Sequence, residues 1–122
     1  VTVIVDSSVW IAHFKRRNDH LVELLEADKV YCHPYVIGEL ACGTPPNRGF
    51  VLDTISELRR TPVATLEELR EFIEAHNLSG RGCGFVDMNL LASARLKSGL
   101  TIWTLDKSLA SAAADQGCLH SE

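Results

Sequence analysis

The chain lacks any long apolar run: none approaches the roughly 18 residues that cross a bilayer as a helix. The opening stretch Val1–Val5 is too short for a secretory leader and meets Asp6 at once, so a cytoplasmic location is expected. Paired cysteines are missing too. Cys32, Cys42, Cys83 and Cys118 are scattered without a C-x-x-C pair, and the five histidines do not join them at ligand spacing. This argues against a zinc knuckle or a dithiol redox motif and suggests buried or semi-buried thiols kept reduced. Nor is positive charge in excess. Twelve Lys and Arg face 16 Asp and Glu, a net charge of −4, which excludes a basic domain that simply coats phosphates. Repeats, linkers and low-complexity tracts are absent as well.

What is present is enough apolar material for a core. With 46% hydrophobic residues in 122, the chain suits a single domain spanning 1–122 that needs no disulfide or metal to fold. Val1–Val5 is a β-branched run of the kind buried on both faces of a sheet. A helix follows, capped by Ser7 or Ser8, with Trp10 and Phe14 four apart on one face. Asn18 caps a second helix that turns Leu21, Leu24 and Leu25 inward.

Val30–Cys32 reads as a second strand, and Pro34 suits the first turn of a helix through Leu40. The spacing predicts a helix over 48–58 with Phe50, Val51, Ile55 and Leu58 inward, then an extended piece around Pro62-Val63. Thr65-Leu66-Glu67-Glu68 is a capping box that opens another helix. A glycine-rich loop, Ser79–Gly84, leads to a helix over 85–97 closed by Gly99. A strand over 100–103, a helix over 107–115 and a last short strand over 118–120 complete the chain. Alternating strands and helices predict an α/β domain of three layers, α/β/α, around a mainly parallel sheet of four or five strands.

In such sheets ligands bind at the carboxyl ends of the strands, so acids there have particular interest. Asp6 ends the first strand, and Asp106 follows the strand over 100–103 in the same way. Either could simply cap the next helix. Asp87 shares a narrow helical stripe with Leu91 and Ala94, so it heads the buried face of its helix. Glu39 borders the face made by Val36, Ile37, Leu40 and Ala41. If all four converge, two charges about 5 Å apart at an effective dielectric of 20 repel by roughly 3 kcal/mol. The six pairs then approach about 20 kcal/mol, more than the stability of a typical domain. Such a cluster must hold protons or divalent cations, and oxygen donors favour Mg²⁺ or Mn²⁺ over zinc.

These residues resemble a known family. Asp6-Ser7-Ser8 after an apolar strand, Gly38-Glu39-Leu40 in a helix, the run Val86–Ala94 and Thr104-Leu105-Asp106 are similar to the motifs of the PIN domain, and most of all to the VapC-type ribonuclease toxins of toxin–antitoxin pairs. The likeness covers essentially the whole chain, in order, and the Gly80-Arg81-Gly82 loop adds to it. It implies a PIN-like domain and an endoribonuclease dependent on Mg²⁺, with Mn²⁺ as a substitute. Hydrolysis of RNA by metal-activated water, leaving a 5′-phosphate and a 3′-hydroxyl, would inhibit translation. By position, Asp6, Glu39, Asp87 and Asp106 would be the catalytic and metal-holding quartet. Thr104 and Ser7 would support it, and Arg81 and Lys107 are candidate RNA contacts. The resemblance further implies a homodimer and a cognate VapB-type antitoxin.

Three other readings stand beside this one. A phosphoacceptor receiver domain has similar length and build, but it needs an acid pair after the first strand and an acceptor Asp ending a central strand. Here Ser7 follows Asp6, and Asp53 falls inside a predicted helix. A haloacid-type phosphatase needs an acid where Ser8 stands. A PIN module that binds RNA or a partner without cutting would share the same motifs.

Overall fold

The structure is a computed structural model that describes residues 2–121; Val1, part of the first predicted strand, lies outside them. The elements alternate in chain order: β1 (Thr2–Val5), α1 (Ser7–Lys15), α2 (Asp19–Glu26), β2 (Val30–Cys32), α3 (Pro34–Ala41), α4 (Arg48–Ser56), β3 (Arg59–Arg60), α5 (Leu66–Ala75), α6 (Phe85–Leu96), β4 (Leu100–Trp103) and α7 (Lys107–Asp115). The four strands form one parallel sheet in the order β3-β2-β1-β4. β1 is central, with Val3 opposite Val30 on one side and Val5 opposite Trp103 on the other. Val3, Ile4 and Val5 are buried, as a strand covered on both faces requires and as its unbroken β-branched run foretold.

Right-handed crossovers assign α1–α4 to one face of the sheet and α5–α7 to the other. Within each face α1 meets α3, α3 meets α4, α5 meets α6 and α6 meets α7, and α3 and α6 also meet across the division. The chain steps outward from β1 through β2 to β3, then crosses back to lay β4 on the far side of β1. The winding direction therefore reverses at β1. A crevice forms outside the carboxyl ends of the strands at such a point, here between the segments that leave β1 and β4.

Local signals explain most of the boundaries. Asn18 Oδ1 accepts the Leu21 N–H at 3.1 Å, and Pro34 opens α3. The Thr65–Glu68 capping box is complete, with hydrogen bonds of 2.8 and 3.1 Å. Other expectations need correction. Phe50 is 74% exposed, because the inward stripe of α4 runs through Val51 and Ile55 and leaves Phe50 about 100° away. The extended segment lies at Arg59–Arg60, paired with Tyr31 and Cys32, instead of at Pro62-Val63, where proline offers no N–H to a ladder. Residues 118–120 do not form a full strand; they make a single parallel bridge, Ile102 to Leu119. Asp6, and neither serine, holds the N-cap position of α1. Cys42 is exposed, unlike buried Cys32. Among the described residues no helix is long and apolar enough to cross a membrane.

Candidate active site

Asp6 leaves the end of β1 and is buried. Although it occupies the N-cap position of α1, its side chain caps nothing. Its Oδ2 instead accepts two hydroxyl hydrogen bonds, from Ser8 at 2.7 Å and from Thr104 at 2.8 Å. Both hydroxyls also accept from the backbone on the β4 side: the Leu105 N–H reaches Ser8 Oγ at 3.0 Å, and the Asp106 N–H reaches Thr104 Oγ1 at 3.0 Å. A hydroxyl that accepts a backbone N–H has its own proton left for the carboxylate. The turn after β4 thereby orients the acid after β1.

The other three acids come from different elements. Asp106 is exposed and caps α7, its Oδ1 accepting the Leu109 N–H at 2.9 Å. Asp87 lies in the first turn of α6, half-buried, with Oδ2 accepting the Gly84 N–H at 3.2 Å. Glu39 lies on α3, exposed, and its Oε1 accepts the Ser7 hydroxyl at 3.0 Å. One pattern joins them. In each acid, among the described residues, one oxygen is anchored by hydrogen bonds and the other is engaged by none.

The four share an electrostatic neighbourhood. Burial pushes the Glu39 carboxyl above its ordinary range; the Ser7 hydroxyl opposes this, and the charges of Asp6 and Asp87 add to it. Burial likewise raises Asp87, against the Gly84 N–H, with Asp6 and Asp106 adding to it. Cys83 feels the same cleft, for burial and then Asp87 and Asp106 raise its thiol, while Arg81 lowers it. These are the responses expected of partly buried carboxylates that feel one another's charge.

The remaining predicted residues fall around this cleft. Ser7 and Thr104 touch acids directly. Lys107 is exposed next to Asp106. Arg81 is turned onto α7, where its guanidinium meets Asp115 at 2.7 Å and the Ser111 hydroxyl at 3.1 Å. Gly82 shows why the adjoining loop is glycine-rich: its φ is +83°, and a Cβ there would stand 2.9 Å from Ser108 Oγ. Ser8 was read from sequence only as a possible helix cap. The signal that it belongs to the site was its spacing, a second hydroxyl two residues past a strand-ending acid. Beside Glu39, an apolar groove of about 240 Å³ runs along Ile11, Phe14, Leu40 and Pro45 to Lys15.

As placed, no three His, Cys, Asp or Glu side chains among the described residues stand close enough to share one metal ion. The donor set nevertheless fits a hard divalent cation in kind. It offers carboxylate oxygens from four elements, each with one oxygen unengaged among the described residues. Two of the acids have carboxyls raised by burial first and by the neighbouring acids after it.

The chain, a parallel α/β sheet with acids on β1, α3, α6 and the turn after β4, belongs to the PIN domain family, whose model matches residues 3–115. Within that family it is similar to Ribonuclease VapC32 of Mycobacterium tuberculosis, in strains CDC 1551 / Oshkosh and ATCC 25618 / H37Rv. The identity is 44% over 120 residues, covering 98% of this chain and 97% of the relative. Its fold also resembles the crystal structure of PAE2754 from Pyrobaculum aerophilum. That likeness has a TM-score of 0.61 at 20% identity, over 91% of this chain and 84% of the other.

Proposed function

We infer that the chain is a divalent-cation-dependent endoribonuclease, the toxin of a toxin–antitoxin pair. One observation supports the reading: acids from four separate elements share one electrostatic neighbourhood, Glu39 feeling Asp6 and Asp87, and Asp87 feeling Asp6 and Asp106. Among the described residues each has one oxygen anchored and the other engaged by no hydrogen bond. The similarity to a protein named a ribonuclease, at 44% identity over nearly the whole chain, supports it.

Asp6, Glu39, Asp87 and Asp106 would hold one or two Mg²⁺ or Mn²⁺ ions through their free oxygens. The bound cation would supply charge neutralisation at the phosphate and a lowered pKa for water. The chain's own residues set the stage. Thr104 and Ser8 fix the plane of the Asp6 carboxylate, and Ser7 steers Glu39 toward the same cleft. The first turn of α6 holds Asp87 where the helix dipole favours its negative charge. Lys107, exposed beside Asp106, is placed to meet a backbone phosphate. For Arg81 to do so it would have to leave Asp115. With the cluster's charge offset by cations, the acidic balance of the chain no longer opposes a polyanion.

The groove beside Glu39 suits the partner that this reading requires. Its apolar walls and terminal acid would accept an apolar segment of a cognate VapB-type antitoxin, ending in a basic side chain that relieves the same repulsion as a cation. A homodimer acting in the cytoplasm completes the proposal.

The test is to incubate purified, antitoxin-free protein with total cellular RNA and Mg²⁺ or Mn²⁺, beside Asp6→Asn, and to map new RNA ends. Discrete 5′-phosphate ends that vanish with Asp6→Asn or EDTA are expected. Cleavage that persists in EDTA, or products ending in 2′,3′-cyclic phosphate, would overturn the mechanism. A folded protein that binds cation but cuts nothing would favour the non-cutting PIN module.

A further inference from the structure

Two aromatic rings stand exposed on the helices that carry Glu39 and Asp87, and neither the core nor the chemistry above uses them. Tyr35 lies in the first turn of α3 and Phe85 opens α6. Their ring centroids are 5.8 Å apart with planes inclined by 29°, an offset stack. Tyr35 is 38% exposed and Phe85 59%, so the pair presents aromatic surface to solvent.

Position gives the pair its meaning. Tyr35 stands one turn before Glu39 on the same face of α3, and Phe85 stands two residues before Asp87. Because α3 and α6 pack against each other, the stacked rings bridge the two helices that carry those acids. The pair is also held from behind. Buried His33 lies 5.1 Å from the Tyr35 ring, and its Nδ1 accepts the Tyr35 N–H at 3.0 Å. Asn89 Nδ2 donates to the Phe85 carbonyl at 2.9 Å, fixing that turn of α6. Rigid aromatic surface of this kind loses little conformational freedom when something stacks on it.

In the reading above the acids, their cations and Lys107 engage the sugar–phosphate backbone and leave the base without a contact. A chain with net charge −4 also gains less from phosphate contacts than a basic domain does, which leaves an important share of affinity to uncharged contacts. We propose that Tyr35 and Phe85 form a platform on which an unpaired nucleobase next to the scissile phosphate stacks. The proposal rests on the ribonuclease reading and deepens it, since it makes the substrate single-stranded at the cut. Stacking needs a base released from its duplex, and every base has a face to offer.

The experiment uses the full chain carrying Asp6→Asn, with Mg²⁺, and a short unstructured RNA containing 2-aminopurine. Binding is read by anisotropy and stacking by quenching of the 2-aminopurine fluorescence. Adding Phe85→Ala or Tyr35→Ala is expected to weaken binding about ten-fold and abolish the quenching. Phe85→Trp should restore both, and annealing the RNA to its complement should erase the difference. Equal binding and quenching with Phe85→Ala would overturn the platform. So would a change of oligomeric state, by sedimentation, with RNA binding unaltered, which would mean that a second copy covers the rings. If the quenching appears but end-mapping shows no Asp6-dependent cleavage, the catalytic reading falls and the base platform stands.

Discussion

The two halves of the acidic cleft are built differently. On the strand side, Asp6 is buried under two hydroxyls that are themselves oriented by backbone N–H groups of the turn after β4. On the helix side, Glu39 and Asp87 each have one anchoring hydrogen bond among the described residues and carboxyls raised by burial and by the neighbouring acids. The strand half is fixed in position; the helix half is adjustable in charge. On the proposed reading, a cleft that takes a cation and then a polyanion would gain from both, because a fixed ligand sets geometry while carboxyls raised above their ordinary range lessen the repulsion among the acids.

The largest expected effect comes from breaking the strand half. Asp6→Asn should reduce single-turnover cleavage by more than the roughly 10–100-fold that is typical when a partner of a metal ligand is lost. Thr104→Val should fall within that range. It removes a donor to Asp6 and an acceptor for the Asp106 N–H together, and denaturant unfolding should register about 1–3 kcal/mol for the unmet backbone group. Gly82→Ala tests the loop that leads into Asp87. Placing a Cβ at φ +83° against Ser108 should cost about 1–2 kcal/mol in urea unfolding.

The helix half should give the smallest and most telling result. A carboxyl whose pKa is raised in the folded state stabilises the fold only while protonated, and that contribution is lost as pH rises through its folded pKa. At neutral pH, therefore, Asp87→Asn and Glu39→Gln should raise the melting temperature, by on the order of a degree or two since both groups are partly solvated. They should do so while impairing cleavage, and the gain should vanish well below the ordinary carboxylate range. Cleavage by the native protein should also begin to fall at a higher pH than ordinary carboxylates would dictate, as Glu39 and Asp87 take up protons. A pH–rate profile and thermal melts across acid to neutral pH check both.

The strand half of the site was also the more legible in sequence. An acid that ends a β-branched strand can be located by counting, as Asp6 and Asp106 were, and the apolar stripe around Asp87 narrows its direction. Glu39 was less sharply marked, because a glutamate at the edge of a helical face looks alike whether it faces water or a cleft. The double role of Ser8 was hidden for another reason. Its partners, Asp6 and the Leu105 N–H, are brought together by β1 pairing with β4 across nearly the whole chain, and no local pattern reports such a pairing. Phe50 failed in the opposite sense, an apolar residue that the period of α4 turns outward. Sequence periodicity locates faces, and only the packing of distant elements decides what each face meets.

The sheet also governs how this molecule can join others. β3 is only two residues long, and both are exposed arginines, which offers a poor template for another strand. At the opposite border, β4 is partly screened by the 118–120 segment, where the Ile102 N–H donates to the Cys118 carbonyl at 2.7 Å and the His120 N–H to the Ile102 carbonyl at 2.8 Å. With one border charged and brief and the other already paired, assembly by strand addition is discouraged at both ends. The fold thus has little means of propagating itself into a fibril, and its contacts with other chains are left to helices and loops.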